Sequence, residues 1–567
     1  FQAQFSCKGY RNIRVTSKVG IDNDCVLAGQ RLLYSTDGTN FVTLDSINLT
    51  GKVNSDWIDM GGTLPQMTDN QLSTIYLRWA ADTTTSALAA NPSGTEGLYL
   101  ANVIIYADLA AINDSVPPVL LSMTPVGGST SASANGNVIL YFNERVKSGE
   151  GDVKLGDEVL QATFGSKTVS YAYKGLEYGK SYSMTVPAGA IVDLSGNAFP
   201  GITITFTVTN RPQPSAQLFD VIVAADSTGD VLTIQEAIDK CPNNNTTPWL
   251  VYVKSGRYYG TVRIPSTKPY IHLIGQNKKN TVITYFSPDS IKIVGGEYTV
   301  EVSSNNFYAE NISFENAWGV ESQAGPMALA MKTRGDRSAF YNCKFRSYQD
   351  TWQSNVGSTS YRLYANKCWI EGAVDYFFGD GNAYIENSTF YNMRSGSVIT
   401  APSHPVGTKW GFVFMNDTID ACPAAAGTQQ LLGRPWQNSP IAVYLNTICK
   451  TPVSPEGWTN MGVIPKLFAD YNTMDADYNP VDLSHRKSEY YDRNIGLNGT
   501  CQNSLSDEEA AAYTYDNVVG GADDWNPRQL FEDIDAPINV QFNNSTVNWK
   551  ASPYAICYLI FKDGELM

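Results

Sequence analysis

The sequence is short of histidine, of basic charge and of long apolar runs, and each shortage closes off a class of function. Only 3 of its 567 residues are histidine, against 33 tyrosines. With abundant Gly, Asn, Thr and Val, that composition favours strands and turns over helices, so a mostly β chain is expected. Lys and Arg number 40 against 55 Asp and Glu, a formal net charge of −15. Nucleic acid is therefore not an expected partner, because duplex binding is dominated by Lys and Arg on phosphates. A strongly anionic polymer suits such a surface poorly. A largely neutral polysaccharide, held by aromatic faces and hydroxyl hydrogen bonds, suits it better. No stretch approaches the roughly 18 uninterrupted apolar residues of a membrane helix, so no membrane-spanning segment is expected and the protein should be soluble. The nine cysteines are an odd number and contain no C-x-x-C pair, so no metal site, redox motif or cofactor is expected. Residues Phe1 to Cys7 lack a charged segment followed by an apolar one. Any export signal is thus expected to have been removed or left out, and export has to be inferred from substrate.

At this length several domains are expected, since one usually takes ~100 to 200 residues. Residues 1–115 read as short strands broken by turns, such as Arg31-Leu-Leu-Tyr34, Asp37-Gly38 and Phe41-Val-Thr-Leu44, the chemistry of hairpins. The region resembles the jelly-roll-like β-sandwich modules of bacterial polysaccharide-degrading enzymes, and its exposed aromatics could bind polysaccharide. Asp114-Ser-Val-Pro-Pro118 marks a linker, and alternation through Val138-Ile-Leu-Tyr-Phe142 and Ile202-Thr-Ile-Thr-Phe-Thr-Val208 is an antiparallel sandwich pattern. Residues 116–213 look like a bacterial immunoglobulin-like spacer, closed by the linker Asn210-Arg-Pro-Gln-Pro214. Ser504 to Ala512 reads as a capped short helix over the end of the preceding repeat domain. Residues 529–567 look like the start of an incomplete fibronectin type III-like module.

Over residues 214–528 an internal repeat appears. Asn followed three positions later by an apolar residue recurs at Asn311, Asn342, Asn366, Asn387, Asn416 and Asn446, spaced by 21 to 31 residues. A parallel β-helix requires such a pattern, because each coil stacks one strand on the last. Asn suits the corner, since it tolerates left-handed backbone and can bond to the Asn above it. Cys343 lies one position after its Asn and Cys368 two after. In perfect register they would face opposite ways, and no disulfide between them is expected.

Register also pairs two carboxylates. Asp350 lies 8 residues after Asn342 and Asp375 lies 9 after Asn366, so they occupy nearly equivalent places on successive coils, where strands are ~4.7 to 4.9 Å apart. Two carboxylates that close do not both ionise cheaply, so one can act as acid while the other stays anionic. Asp375 sits in the apolar run Ala373-Val-Asp-Tyr-Phe-Phe-Gly379 and needs a cationic partner. Arg434, in Leu432-Gly-Arg-Pro-Trp436, can grip it in two places.

In this order Ser347-Tyr-Gln-Asp-Thr-Trp352, Gly372-Ala-Val-Asp-Tyr-Phe-Phe-Gly379 and Leu432-Gly-Arg-Pro-Trp436 resemble the signature segments of the pectin methylesterases (pectinesterases). Gly335-Asp-Arg-Ser-Ala-Phe-Tyr341 and Lys254-Ser-Gly-Arg-Tyr-Tyr259 look like further segments of that family. The resemblance spans about residues 218–528. It implies a right-handed parallel β-helix catalytic domain preceded by the β-sandwich modules, in a secreted, extracellular, cell-surface or periplasmic protein of bacterial type. It implies a carboxylic ester hydrolase acting on methyl-esterified pectin (homogalacturonan). Asp375 would be the nucleophile, Asp350 the general acid and base, Gln349 the oxyanion donor and Arg434 the partner of Asp375. Trp436 and Tyr376 would offer aromatic surface to the sugar. One position departs from the family: where it usually has Gln nine residues before the Asp of Gly-Asp-Arg, this chain has Met327, which is expected to pack under the substrate. Gln323, four residues earlier, is the candidate replacement donor. A β-helix pectate lyase would call instead for a calcium-binding carboxylate cluster with an Arg or Lys base. A polygalacturonase would call for acids flanking a glycosidic bond, and a non-catalytic adhesin for no intact motif.

Overall fold

The computed structural model describes residues 1–7, 9–21, 29–49, 57–69, 74–81, 98–109, 115–165, 167–211, 218–286, 298–354, 358–523, 525–531, 536–552, 555, 557–562 and 565–566. Asp114 of the first linker and residues 212–214 of the second lie outside them. The chain divides into two units, residues 1–117 making up most of the first.

That first unit is a β-sandwich. A four-stranded antiparallel sheet and a three-stranded one enclose Ile13, Val15, Leu32, Ile75, Leu77 and Trp79, which alternate with half-buried or exposed residues along each strand. The second unit opens with another antiparallel sandwich, around Val138, Leu140, Phe142, Tyr171 and Phe206.

From Val221 onward strands pair in parallel. Three sheets of ten, nine and seven strands stack along the domain, the middle coils adding one strand to each sheet, which is a parallel β-helix. Its interior is a continuous aromatic stack: Phe345 lies 5.4 Å from Phe314 and 3.9 Å from Trp352, both near-parallel. The corners carry the asparagines. Asn311, Asn342, Asn387, Asn416 and Asn446 all have φ between 49° and 57°, and a further corner, Asn472, has φ 51°. Their amides form ladders, Asn342 donating to Asn311 at 2.6 Å, Asn446 to Asn416 at 3.2 Å and Asn472 to Asn446 at 2.8 Å.

One rung departs from the expected pattern. Tyr341 pairs with Asn366, and Asn366 with Glu386, so the corner of that coil is Lys367, φ 53°, and Asn366 stands one residue before it. Lys344 pairs with Trp369, so Cys343 and Cys368 share one register and both face the interior. The expectation of opposite faces is corrected; both remain free thiols.

The ends and the side of the coil stack are closed differently. Helix Ile234–Lys240, with a Thr233–Glu236 capping box, buries Ile234, Ala237 and Ile238 at the first coils. At the far end Tyr490 and Cys501, in and beside the hairpin Glu489–Asp492/Leu497–Thr500, pack on Phe468 and Trp458. The short helix Asp507–Ala510 does carry its capping box on Ser506 and Glu509. It does not cover the end: Ala510, Tyr515, Val518 and Val519 lie on the outer face of the ten-stranded sheet, against Tyr364, Tyr384 and Val443. This cover continues past residue 528, since Phe531 stacks on Tyr341 at 4.3 Å. Later in the chain the described residues form two hairpins, Ile538–Asn543 with Thr546–Lys550 and Phe561–Lys562 with Glu565–Leu566.

Candidate active site

The seven-stranded sheet positions the two aspartates. Gln349 bridges Val374 and Trp352 pairs with Phe377, so Asp350 stands opposite Asp375, and its N–H donates to Val374 O at 2.9 Å. Both are left-handed, φ 59° and 49°. Such a conformation costs a non-glycine residue free energy and concentrates at functional sites. Against the next strand, the stretch from Val374 to Phe377 carries one extra residue, a β-bulge that re-aims a side chain. Trp352, Tyr376 and Phe377 are all fully buried in the interior.

Tyr376 is therefore misassigned by the expectation that it faces the sugar. The bulge turns both Tyr376 and Phe377 inward, and the Tyr376 hydroxyl donates to Asn392 at 3.1 Å inside the coil.

Arg434 arrives two coils later, just after strand Leu431–Gly433. A Cβ on Gly433 would lie 2.2 Å from the Thr400 hydroxyl and 2.8 Å from its carbonyl oxygen, so only glycine lets this strand come close enough. The Arg434 Nε donates to Asp375 Oδ1 at 2.8 Å and Nη2 to Oδ2 at 2.6 Å. Both carboxyl oxygens accept, so the contact selects the ionised form. Its hydrogen bonds to Asp375, with the charges of Asp375 and Asp350, raise the Arg434 pKa. Burial raises that of Asp375, and the Arg434 bonds and charge draw it part of the way back.

Trp436 is half-buried, its ring 5.9 Å from Phe378. Together with Met327 and Tyr298 it packs on Leu329, Phe378 and Ala401, an apolar strip beside the carboxylates. Gln349 is half-exposed, and its amide oxygen lies 2.7 Å from where a Cβ on Gly325 would sit. Gln323 is bonded within its own helix. It ends helix Ala317–Ser322 in a left-handed conformation, and its side-chain nitrogen donates to Val320 O at 2.9 Å and Gly319 O at 3.4 Å. An amide committed to its own helix end is a poor replacement donor, in keeping with the expectation that the oxyanion falls mainly on Gln349. Sequence reasoning missed Gly325, Leu329 and Tyr298, which no local pattern marks. Phe378 it left unassigned within a segment it had quoted. Among the described residues no cluster of three or more His, Cys, Asp or Glu is placed to hold a metal, and no helix is long and apolar enough to cross a membrane.

Residues 220–478 match the pectinesterase family model, and residues 114–208 that of a bacterial Ig-like domain. Pectinesterase 4 of Arabidopsis thaliana is 34% identical over 256 residues, which are 42% of this chain and 41% of that one. A pectinesterase of Petunia integrifolia is 31% identical over 267 residues, 44% of this chain and 69% of that one. A solved pectin methylesterase from carrot is 24% identical, with 56% of this chain covering 98% of that one at a TM-score of 0.49. The chain spans less than half the length of several curated relatives it matches. With the Petunia pectinesterase matched over 69% of its length, and the family model matched by residues 220–478, which form the coils and carry Asp350, Asp375 and Arg434, the chain belongs to the pectinesterase family.

Proposed function

We propose that this protein hydrolyses the C6 methyl esters of homogalacturonan, giving pectate and methanol. The observation that carries the reading is the two-point grip of Arg434 on Asp375 directly beside Asp350. An ionised carboxylate held by a guanidinium is an oriented nucleophile, and a second carboxyl one strand away can move a proton.

In this reading an Asp375 oxygen attacks the ester carbonyl carbon, and the carbonyl electron pair becomes an oxyanion that the Gln349 amide stabilises. The C–O bond to the methoxy group then breaks and methanol leaves with a proton from Asp350. The resulting anhydride between Asp375 and the sugar is opened by water. Asp350 takes that water's proton, releasing galacturonate and restoring Asp375. Arg434 holds the nucleophile and offsets its charge, while Trp436 and Met327 supply apolar surface to the bound chain. A substrate in plant cell walls places the working enzyme outside the cell that makes it. The first sandwich, whose Trp57, Tyr99 and Tyr106 are exposed, is a candidate polysaccharide-binding module.

The test is incubation with highly methylated pectin, measuring methanol and chain length together. Methanol without shortening, unaffected by a chelator, is expected; shortened or unsaturated oligomers as the main product would reject the reading. Asp375→Asn should lose more than a hundredfold, ~2.7 kcal/mol in barrier, while remaining folded and able to bind the polymer.

A further inference from the structure

Where the second sandwich meets the coils, a cavity of about 390 Å³ lies over the outer face of the ten-stranded sheet. One side is the stretch where the asparagine ladder breaks. Three successive corners, Lys367, Asn387 and Asn416, line it and span roughly 10 Å at the usual strand spacing. Ser133 and Asn137 of the sandwich also line it. The Tyr141 hydroxyl ties sandwich to coils, donating to Asn416 at 3.2 Å.

Asn366 makes this cavity more than a gap between two surfaces. It lines the cavity and is only 7% exposed. Its amide nitrogen donates to the Tyr364 hydroxyl at 2.9 Å and to Glu386 at 3.1 Å. A carboxylate gripped by an arginine only accepts, so Glu386 fixes which way the amide points. The Asn366 oxygen is then a buried acceptor to which no described group donates, a costly arrangement for a polar atom. The charged groups nearby are engaged with other partners. Arg528 donates to both Glu386 oxygens at 2.9 Å, and the Lys367 ammonium donates to the Tyr341 hydroxyl at 3.0 Å. The volume falls within the ~300 to 1,000 Å³ of small-ligand sites and far exceeds the ~30 Å³ share of one water.

We infer that this cavity binds one neutral hexose unit, a hydroxyl of which donates to the Asn366 oxygen. Sugar hydroxyls both donate and accept, which suits a lining of amides and hydroxyls, whereas a carboxylate has no proton for Asn366 and finds the cations already bonded. Asp375 belongs to a different sheet, the seven-stranded one, so the inference does not rest on the proposed methylesterase reaction. A sugar held here would touch the sandwich and the coils together.

The experiment is calorimetric titration of the full chain with galactose and with galacturonate, which differ only at C6. Saturable binding of galactose, weaker binding of galacturonate and a melting temperature that rises with galactose concentration are expected. Asn366→Leu removes the acceptor and should raise the galactose Kd about tenfold, the scale of one hydrogen bond. That variant also strips two bonds from the sheet face, so a second one avoids the coils. Asn137 is exposed on strand Gly136–Phe142, and Asn137→Trp should abolish galactose binding by filling the cavity while keeping the parent's melting temperature. No saturable binding of galactose, a Kd unchanged in either variant, or galacturonate bound as tightly as galactose overturns the inference. A crystal soaked in galactose that shows only water against Asn366 overturns it as well.

Discussion

At the scale of residues, the oxyanion of the proposed reaction would fall to one amide. Met327 has no proton to donate and packs with Trp436 and Leu329, and the Gln323 amide is tied to its helix end. Gln349→Ala is therefore expected to raise the barrier by ~2.7 to 4 kcal/mol while Gln323→Ala changes kcat little; equal losses in the two would show that Gln323 has taken over the role. Gly325→Ala should act through Gln349, because its Cβ would fall 2.7 Å from the amide oxygen. Lower kcat at near-constant KM is expected. The nucleophile also predicts a pH profile. In the proposed reaction Asp375 would work only when ionised, and burial raises its pKa while Arg434 lowers it part-way. Activity should fall on acidification at a pH above the ordinary Asp value of about 3.9. Arg434→Gln removes the lowering influence, so besides slowing the reaction it should move that acid limb upward. A limb that stayed put would argue against Asp375 as the titrating group. The facing of Asp350 and Asp375 was legible in their spacing from Asn342 and Asn366, although the corner of the second coil is Lys367. The burial of Tyr376 was not, because a bulge of one residue leaves no mark in a sequence.

At the scale of elements, the asparagine ladder shows how a turn preference becomes a cohesive force. Each corner Asn accepts a backbone that costs most residues ~1 to 2 kcal/mol, and Asn342, Asn446 and Asn472 each bond to the Asn of the preceding coil. Asn446→Ala removes a bond to Asn416 and one from Asn472 and leaves alanine at φ 54°. A loss of roughly 2 to 3 kcal/mol in chemical denaturation is expected, and a loss below about 0.5 kcal/mol would reduce the ladder to a by-product of the turn. The ladder was readable from the repeat, down to its bonding. Its break was not: Lys367 takes the corner, Asn366 sits beside it, and counting from the wrong residue put Cys368 on the wrong face. Strand pairing, which a sequence does not display, decides register where two candidates are adjacent.

At the scale of the whole molecule, the coils carry a cover. Residues 510–531 cover one outer face, and there Arg528 meets both oxygens of the buried Glu386 at 2.9 Å. Arg528→Met should cost about 3 to 5 kcal/mol, since it leaves that carboxylate without its cation; a melting temperature within about 2 °C of the parent would show that this cover contributes little. The sequence announced a helix near residue 507 but not where it lies, because capping is local and docking depends on a face formed by ten separate strands. The position of the aspartates in the stack has a further consequence. Their strands are fourth and fifth of seven in the sheet. A solenoid loses structure from its ends, where a coil has one neighbour instead of two, so the catalytic coils should be the last to fray. Amide protons near Asp350 and Asp375 should exchange with solvent more slowly than those near Val223 or Asp475, and warming should loosen both ends of the stack before it dims the chemistry at the middle.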